Sequence, residues 1–407
     1  MDNQGPLSET ERAVLAAVYR RGETTKPELV SALQFSAPTI GTAISILQQR
    51  GLVAMHSERK GGIGRAAAVY GLSGNVGWLL GIDIGTTKVM FLARSLSGQT
   101  LYSKSYPVDS NPAAQAEQVE RILRSEMRLL ESQLSPENGD LRGIGIALPR
   151  IISAYVNADI DPRDPARHKF NNVVSALGVP STVPIVLENN VNCSALAELT
   201  CGQASEYSHF VFIQVGVGVG AGIVTGGRLI RGTRGAAGEI AAIPLKRESS
   251  LSNSHSSYEL EEYLGSEGLL KRVRESWGGS EPCPRTTLEL FQVAEEGSEQ
   301  ARSFVHQHAV DISWVIAALT AVLDPECVVV GGGVGQNEFL FAEIEAALHD
   351  RRRDFVLRRS RLGEDASVTG AVELTLDFVL RDLLGKYHDA RLEDHQIFVL
   401  SNSSNLE

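Results

Sequence analysis

The sequence predicts a mixed α/β protein: a small helical module ending in a hairpin, followed by a larger body of alternating strands and helices. Three observations predict it. The first seventy-odd residues carry apolar positions at helical spacing behind clear cap residues. From Trp78 onward, strand-length apolar runs alternate with helical stretches. Glycine-rich turns follow three of those runs.

The module reads element by element. Ser8 and Glu11 form a capping box, in which hydroxyl and carboxylate satisfy free N–H groups at a helix start. Val14, Leu15 and Val18 then recur on one face, and Gly22 ends the helix. A second helix over Lys26 to Leu33 has Pro27 in its first turn, where a missing N–H costs nothing. Ser36 caps a third helix with Pro38 in its first turn and Ile40, Ile44 and Leu47 as its inward stripe, ending at Arg50-Gly51. A two-stranded wing follows: residues 52–55, a polar tip SERKGGIGR, and residues 67–70. Three helices and a hairpin make the winged helix-turn-helix plan, which puts the start of the third helix in a DNA major groove. Ser36, Pro38, Thr39 and Thr42 are the candidate base-reading residues, because hydroxyls meet donors or acceptors and Thr methyls pack on thymine. Arg59, Lys60 and Arg65 in the wing are the candidates for phosphate or minor-groove contacts. The implied partner is double-stranded operator DNA.

In the body, LLGIDIG, KVMFLAR and GQTLYSKSYPV read as three successive strands. Residues 112–134 read as an amphipathic helix and LRGIGIALP as a buried strand. A second strand group spans HFVFIQVGVGVGAGIVTGGRLIRG, a helical stretch covers 284–323, and CVVVGGG gives one more strand. The expected division is a module over 1–73, a body over 78–385, and a loosely held polar tail over 386–407.

Composition excludes several classes. With 43% hydrophobic and 21% charged residues the chain is an ordinary globular one, and no apolar run approaches the ~20 residues of a membrane span. The four cysteines lack C-x-x-C spacing, which argues for a reducing compartment and a cytoplasmic location, without disulfides or a cysteine zinc site. Net charge is −11, yet residues 1–75 hold eight Lys/Arg against six Asp/Glu, so that segment is +2 and the remainder −13. A weakly basic module on an acidic body fits a part that approaches phosphates and a part that DNA repels.

The glycine turns carry the remaining chemistry. Asp83, Gly85, Thr86 and Thr87 lie between two apolar strands, and Gly216, Gly218 and Gly220 follow another. Such turns let backbone N–H groups converge on a phosphate, and a carboxylate such as Asp83 can hold hydrated magnesium. With Gly331-Gly332-Gly333 after a third strand, the set resembles the ROK family of repressors, open reading frames and sugar kinases. DIGTTK resembles that family's first phosphate loop, GVGVGAGIVTGGRLIRGTRGAAGEIAAI its signature segment, VVVGGGVG its nucleotide-base loop and GEDASVTGA the start of its last helix. The resemblance covers residues 78–380 and implies a two-lobed actin/hexokinase-like, ribonuclease H-like domain. One lobe would span about 78–195 plus the C-terminal helix, the other about 196–370.

The departures from that pattern are specific. Family kinases read Glu-Asn-Asp-Ala-Asn where this chain reads Glu188-Asn189-Asn190-Val191-Asn192, so an amide stands where the resemblance implies the catalytic base. Losing such a base costs ~10²–10⁴-fold in rate. Val217 replaces the usual Thr of the second phosphate turn, and Ala242 stands where a zinc-ligating His would be, with His255 unable to supply the site alone. By resemblance the sugar would be held by Asn189, Asn190, Glu239 and Glu261, the last in Glu259-Leu260-Glu261. Arg150 can neutralise an anionic ligand or simply pair with a nearby carboxylate. The resemblance therefore implies a catalytically inactive effector domain without cofactor or metal, a possible sugar-like effector, and a homodimer or homotetramer that represses transcription. An active sugar kinase, and a regulator using this domain only to oligomerise, are the alternatives.

Overall fold

A computed structural model describes residues 5–59, 66–109, 111–152, 173–244, 259–278, 281–349, 354–388 and 398–400. The winged module forms as its caps dictate. Helix α1 (Glu9–Arg21) carries the Ser8–Glu11 capping box and stops at Gly22, whose φ of 70° suits a residue without a Cβ. Strand β1 (Glu23–Thr25) was not expected from the sequence; three residues carry too little periodicity to announce a strand. Helix α2 (Lys26–Leu33) has a second capping box, with Glu28 accepting the Thr25 N–H at 2.7 Å. Helix α3 (Ala37–Gln49) is capped by Ser36, and its Ile40, Ile44 and Leu47 are buried with Val14, Val18 and Leu29.

The wing departs from the sequence expectation. Strand β2 (Val53–Arg59) continues through Ser57, Glu58 and Arg59, which pair with Val69, Ala68 and Ala67 of β3 (Ala67–Leu72) beyond a bulge at Met55/Ser57. Arg59 therefore sits in the ladder, not in the tip. The sheet order β1-β3-β2 explains this, because an edge strand exposed to water tolerates a polar run that looks like a loop. Lys60 and Arg65 lie outside the described residues.

The chain divides into two compact units, one of Met1–Pro149, Tyr155–Glu188 and Ala371–Glu407, the other of Arg150–Ala154 and Asn189–Gly370. In the first, β4 (Trp78–Ile84), β5 (Lys88–Ser95) and β6 (Thr100–Pro107) form an antiparallel meander. Helix α4 (Pro112–Asn138) is tied to β6 where the Tyr102 and Tyr106 hydroxyls donate to the buried Glu126 carboxylate. Strand β7 (Leu141–Leu148) pairs parallel to β4, and β8 (Ile185–Asn189) lies beyond it.

The second unit starts at helix α5 (Asn190–Cys201) and repeats the plan. Strands β9 (Phe210–Val215), β10 (Val219–Thr225) and β11 (Arg228–Ile230) form another antiparallel meander. Around it lie α6 (Glu259–Leu264), α7 (Ser266–Ser276), α8 (Thr287–Glu295) and α9 (Glu299–Leu323). The last two break the single helical stretch expected over 284–323, since Gly297 takes φ 110° and Ser298 caps the next helix. Strand β12 (Cys327–Gly331) adds parallel to β9, followed by the short α10 (Gly332–Gly335), α11 (Glu338–His349) and β13 (Val356–Arg359), parallel to β12. The core here is aliphatic, from Val211 and Ile213 to Ile312, Val328 and Leu340.

Helix α12 (Ala366–Leu384) returns the chain to the first unit, where Glu373 pairs with Arg94 at 2.5 Å. Gly145 of β7 admits this helix: a Cβ there would lie 2.1 Å from the Ala371 carbonyl. Strand β14 (Phe398–Leu400) then pairs antiparallel to β8, completing the order β14-β8-β7-β4-β5-β6. Residues 398–400 of the expected loose polar tail are thus paired in a sheet, as such pairing satisfies backbone groups whatever the side chains are, while 389–397 and 401–407 lie outside the described residues. The unit boundary falls between Glu188 and Asn189, ahead of the expected 195, at the junction of strand and helix. Among the described residues no single helix is long and apolar enough to cross a membrane.

Candidate functional site

Two candidate surfaces emerge, one in the module and one in the second unit. On α3, Ser36, Ala37, Pro38, Thr39 and Thr42 are all exposed. Ser36 is largely occupied as a cap: its Oγ accepts the Thr39 N–H at 3.3 Å and lies 2.7 Å from the Thr39 Oγ1. Thr39 is thereby oriented by Ser36, and Thr42 stands one turn further on. The exposed stripe continues through Ser45 to Gln49, at spacings of three and four residues. Gln49 joins the candidates from the structure: its spacing from Thr42 puts it on the same exposed stripe, and glutamine is a residue type that reads adenine. Ser45, though exposed, spends its hydroxyl on the helix's own backbone, donating to the Gly41 carbonyl at 2.9 Å.

Arg59 is partly neutralised within the module, because its Nη1 pairs with Glu28 at 3.2 Å. That carboxylate is held below the usual carboxylate range, chiefly by the backbone N–H of Thr25. A phosphate must compete with Glu28 for this guanidinium.

In the first unit, the turn after β4 is tight. Gly85 donates to the Lys88 carbonyl at 2.9 Å, and the Gln115 amide of α4 donates to the Thr86 carbonyl at 2.9 Å. Thr86 and Thr87 are exposed at its tip, and Asp83 is buried at its base. Gln115 holds this turn in place and belongs to no sequence motif.

The remaining candidates gather in the second unit. Gly216 donates to the Gly218 carbonyl at 3.0 Å, closing the turn between β9 and β10, with Val217 exposed at its tip. Beyond it the glycines serve packing: a Cβ on Gly222 would stand 2.5 Å from the Ala195 Cβ of α5. The Glu261 carboxylate sits on this turn, accepting the Val219 N–H at 3.1 Å. Glu239, preceding a short 3-10 turn over Ile240–Ala242, has its carboxyl raised above the usual range, first by burial and then by the Glu261 charge. Two carboxylates that feel one another suit hydroxyl donors better than an anion.

Asn189 is the N-cap of α5. Its Oδ1 accepts the N–H groups of Val191 at 2.8 Å and Asn192 at 3.2 Å, and its Nδ2 donates to the Arg150 carbonyl at 3.1 Å. Arg150 itself is exposed. Asn190 follows as the first residue of the helix, half-buried, with its backbone carbonyl accepting the Ser194 hydroxyl at 3.0 Å. An amide at this position can hydrogen-bond a hydroxyl but cannot take its proton.

Residues 79–377 match the ROK family. A xylose repressor of Caldicellulosiruptor bescii is 22% identical over 397 residues, covering 90% of this chain and 95% of that protein. An N-acetylmannosamine kinase of Escherichia coli O157:H7 is 28% identical over 297 residues, covering 72% of this chain and 97% of the kinase. Among solved structures, a ROK family transcriptional regulator described as a homologue of the E. coli MLC protein aligns with TM-score 0.69 at 19% identity, covering 93% of this chain and 98% of that one. A ROK hexokinase from Thermus thermophilus aligns with TM-score 0.58 at 26% identity, covering 75% of this chain and 99% of that one. The fold, the glycine turns and these matches agree: the chain belongs to the ROK family and carries a winged helix-turn-helix ahead of the family domain.

Proposed function

We propose that this protein is a DNA-binding transcriptional repressor whose ROK domain senses a sugar-like effector and does not phosphorylate it. The observation that carries this reading is the pairing of an exposed reading helix, Pro38 to Thr42, with an amide at position 190. The extent of similarity supports it. The xylose repressor is matched across 90% of this chain, whereas the kinase is matched across 72% of it.

In this reading Ser36, Pro38, Thr39 and Thr42 face base edges, while Lys60 and Arg65 reach phosphates and Arg59 does so only in competition with Glu28. Asn189, Asn190, Glu239 and Glu261 contribute to the effector site. The turns at Asp83–Thr87 and Gly216–Gly220 are vestiges of phosphate binding. The effector acts by binding one conformation better than another, as any ligand-driven switch must. The protein works in the cytoplasm as a homodimer or homotetramer on a two-half-site operator.

A gel shift on duplexes selected from a random-sequence library tests the DNA half. Binding that weakens steeply with salt is expected, and no retention at low salt overturns it. The 28% identity to an N-acetylmannosamine kinase favours one second reading, an active sugar kinase. Incubation with ATP, magnesium and a sugar panel decides between them: no turnover is expected, and turnover abolished by Asp83→Ala reverses the assignment.

A further inference from the structure

The C-terminal helix does something the family reading does not require. The last carbonyls of a helix have no partner within it. On α12 two of these, Asp382 and Leu383, accept hydrogen bonds from Arg12 of α1, at 2.5 and 3.1 Å. Arg12 is thus a C-cap supplied from another helix, and a cation at a helix C-terminus is favourably placed against the dipole. The turn beyond α12 adds two more ties. Arg20, two helical turns along α1, donates to the Tyr387 carbonyl. Lys386 pairs with Glu9 at 2.7 Å.

That turn is itself held to α12. Gly385 takes φ 56°, bringing the chain back, and His388 Nε2 lies 2.9 Å from Asp377, which also pairs with Arg381 at 3.2 Å. The contact therefore joins two folded elements, and all of it lies within the first unit.

The module has a second attachment at the linker. Arg142 of β7 donates to the Val76 carbonyl of the linker at 3.0 Å. One tether leaves a domain free to rotate about it; two separate attachments do not. Since α3 packs on α1, whatever fixes α1 also fixes the reading helix.

We propose that Arg12, Arg20 and the Glu9–Lys386 pair form a clasp with the end of α12 that sets the pose of the reading helix, and that opening this clasp frees the module to swing about residues 73–77. The inference rests on the DNA-binding reading for its consequence, though the clasp can be tested without DNA. Glu9 and Lys386 are exposed, with side-chain accessibilities of 75% and 63%, so reversing either leaves the core untouched. A held pose favours simultaneous engagement of two half-sites, because the ordering cost is met before binding.

The test compares the wild-type protein with Glu9→Lys, Lys386→Glu and the double swap. Hydrogen exchange over residues 380–388 is expected to be about two- to fivefold faster in each single variant, the range set by a surface ion pair, and to return to the wild-type rate in the swap. Identical exchange in all four proteins overturns the clasp. On a two-half-site duplex selected by the wild-type protein, each single variant is expected to bind about three- to tenfold more weakly, while a single half-site is bound equally by all. The two substitutions change the charge in opposite senses, so a shared loss cannot come from attraction to phosphate. Equal loss on both duplexes, or no loss on either, overturns the coupling. If the wild-type protein selects no duplex, the DNA reading fails and the exchange measurement still decides the clasp.

Discussion

The reading helix and the glycine turn of the second unit use the same kinds of polar residue to opposite ends. On α3 the hydroxyl and amide residues stand on an exposed face, with only Ser36 and Ser45 engaged by the backbone. In the second unit, Asn189 spends its side chain on α5 and the Arg150 carbonyl, and Glu261 spends an oxygen on Val219. One surface keeps its polar groups for a partner, and the other directs several of them into its own chain. A polar group already satisfied by the protein gains little from a ligand, so in the proposed effector site Asn189 and Glu261 have less to offer a ligand than the exposed face of α3 has to offer DNA.

The largest test of this contrast is Asn189→Ala. It strips a cap and leaves buried N–H groups at Val191 and Asn192, so it should destabilise the protein by about 2–3 kcal/mol in a denaturant titration. A loss below ~0.5 kcal/mol means the side chain is not structural and the contrast fails. Thr42→Ala should show the reverse. Stability should stay within about 0.5 kcal/mol, while discrimination between the selected duplex and a scrambled one drops by about 1–2 kcal/mol. Unchanged discrimination removes Thr42 from the reading surface.

A smaller effect concerns pH. The Glu239 carboxyl titrates above its ordinary value in the folded chain, from burial first and from Glu261 second. The folded state then binds this proton more tightly than the unfolded state does. Stability contributed here is present below the unfolded value, declines as pH rises towards the folded value, and is level above it. Glu239→Gln should remove that decline, and Glu261→Gln should shrink it, in thermal melts followed across the acidic range. The smallest effect belongs to Arg59→Gln. Because Glu28 already holds this guanidinium, the salt dependence of DNA binding should change by less than one phosphate contact. A full unit of slope would show that Arg59 leaves Glu28 for the backbone of DNA.

Where the sequence was legible, local chemistry was the reason. Ser8 with Glu11, Ser36 before Pro38, and Gly22 each impose a helix boundary by satisfying or releasing specific backbone groups, and the boundaries fall there. Strands β4, β5 and β7 announced themselves by apolar runs that burial explains. What was missed depended on neighbours. β1 exists because β3 is there to pair with it, and the Ser57–Arg59 extension because an edge strand needs only one apolar face. β14, expected as tail, is a strand because β8 offers it an edge.

The sequence alone therefore determined the family, the order of parts and the amide at 190, since motifs, caps and apolar periodicity are written in nearby residues. Tertiary structure decided how the polar candidates are employed. That Asn189 is a cap, that Arg59 faces Glu28, and that Arg12 closes a helix 370 residues away follow from which backbone and charged groups packing brings within hydrogen-bond reach. No local pattern encodes such a meeting, because each partner is satisfied only once the other has folded beside it.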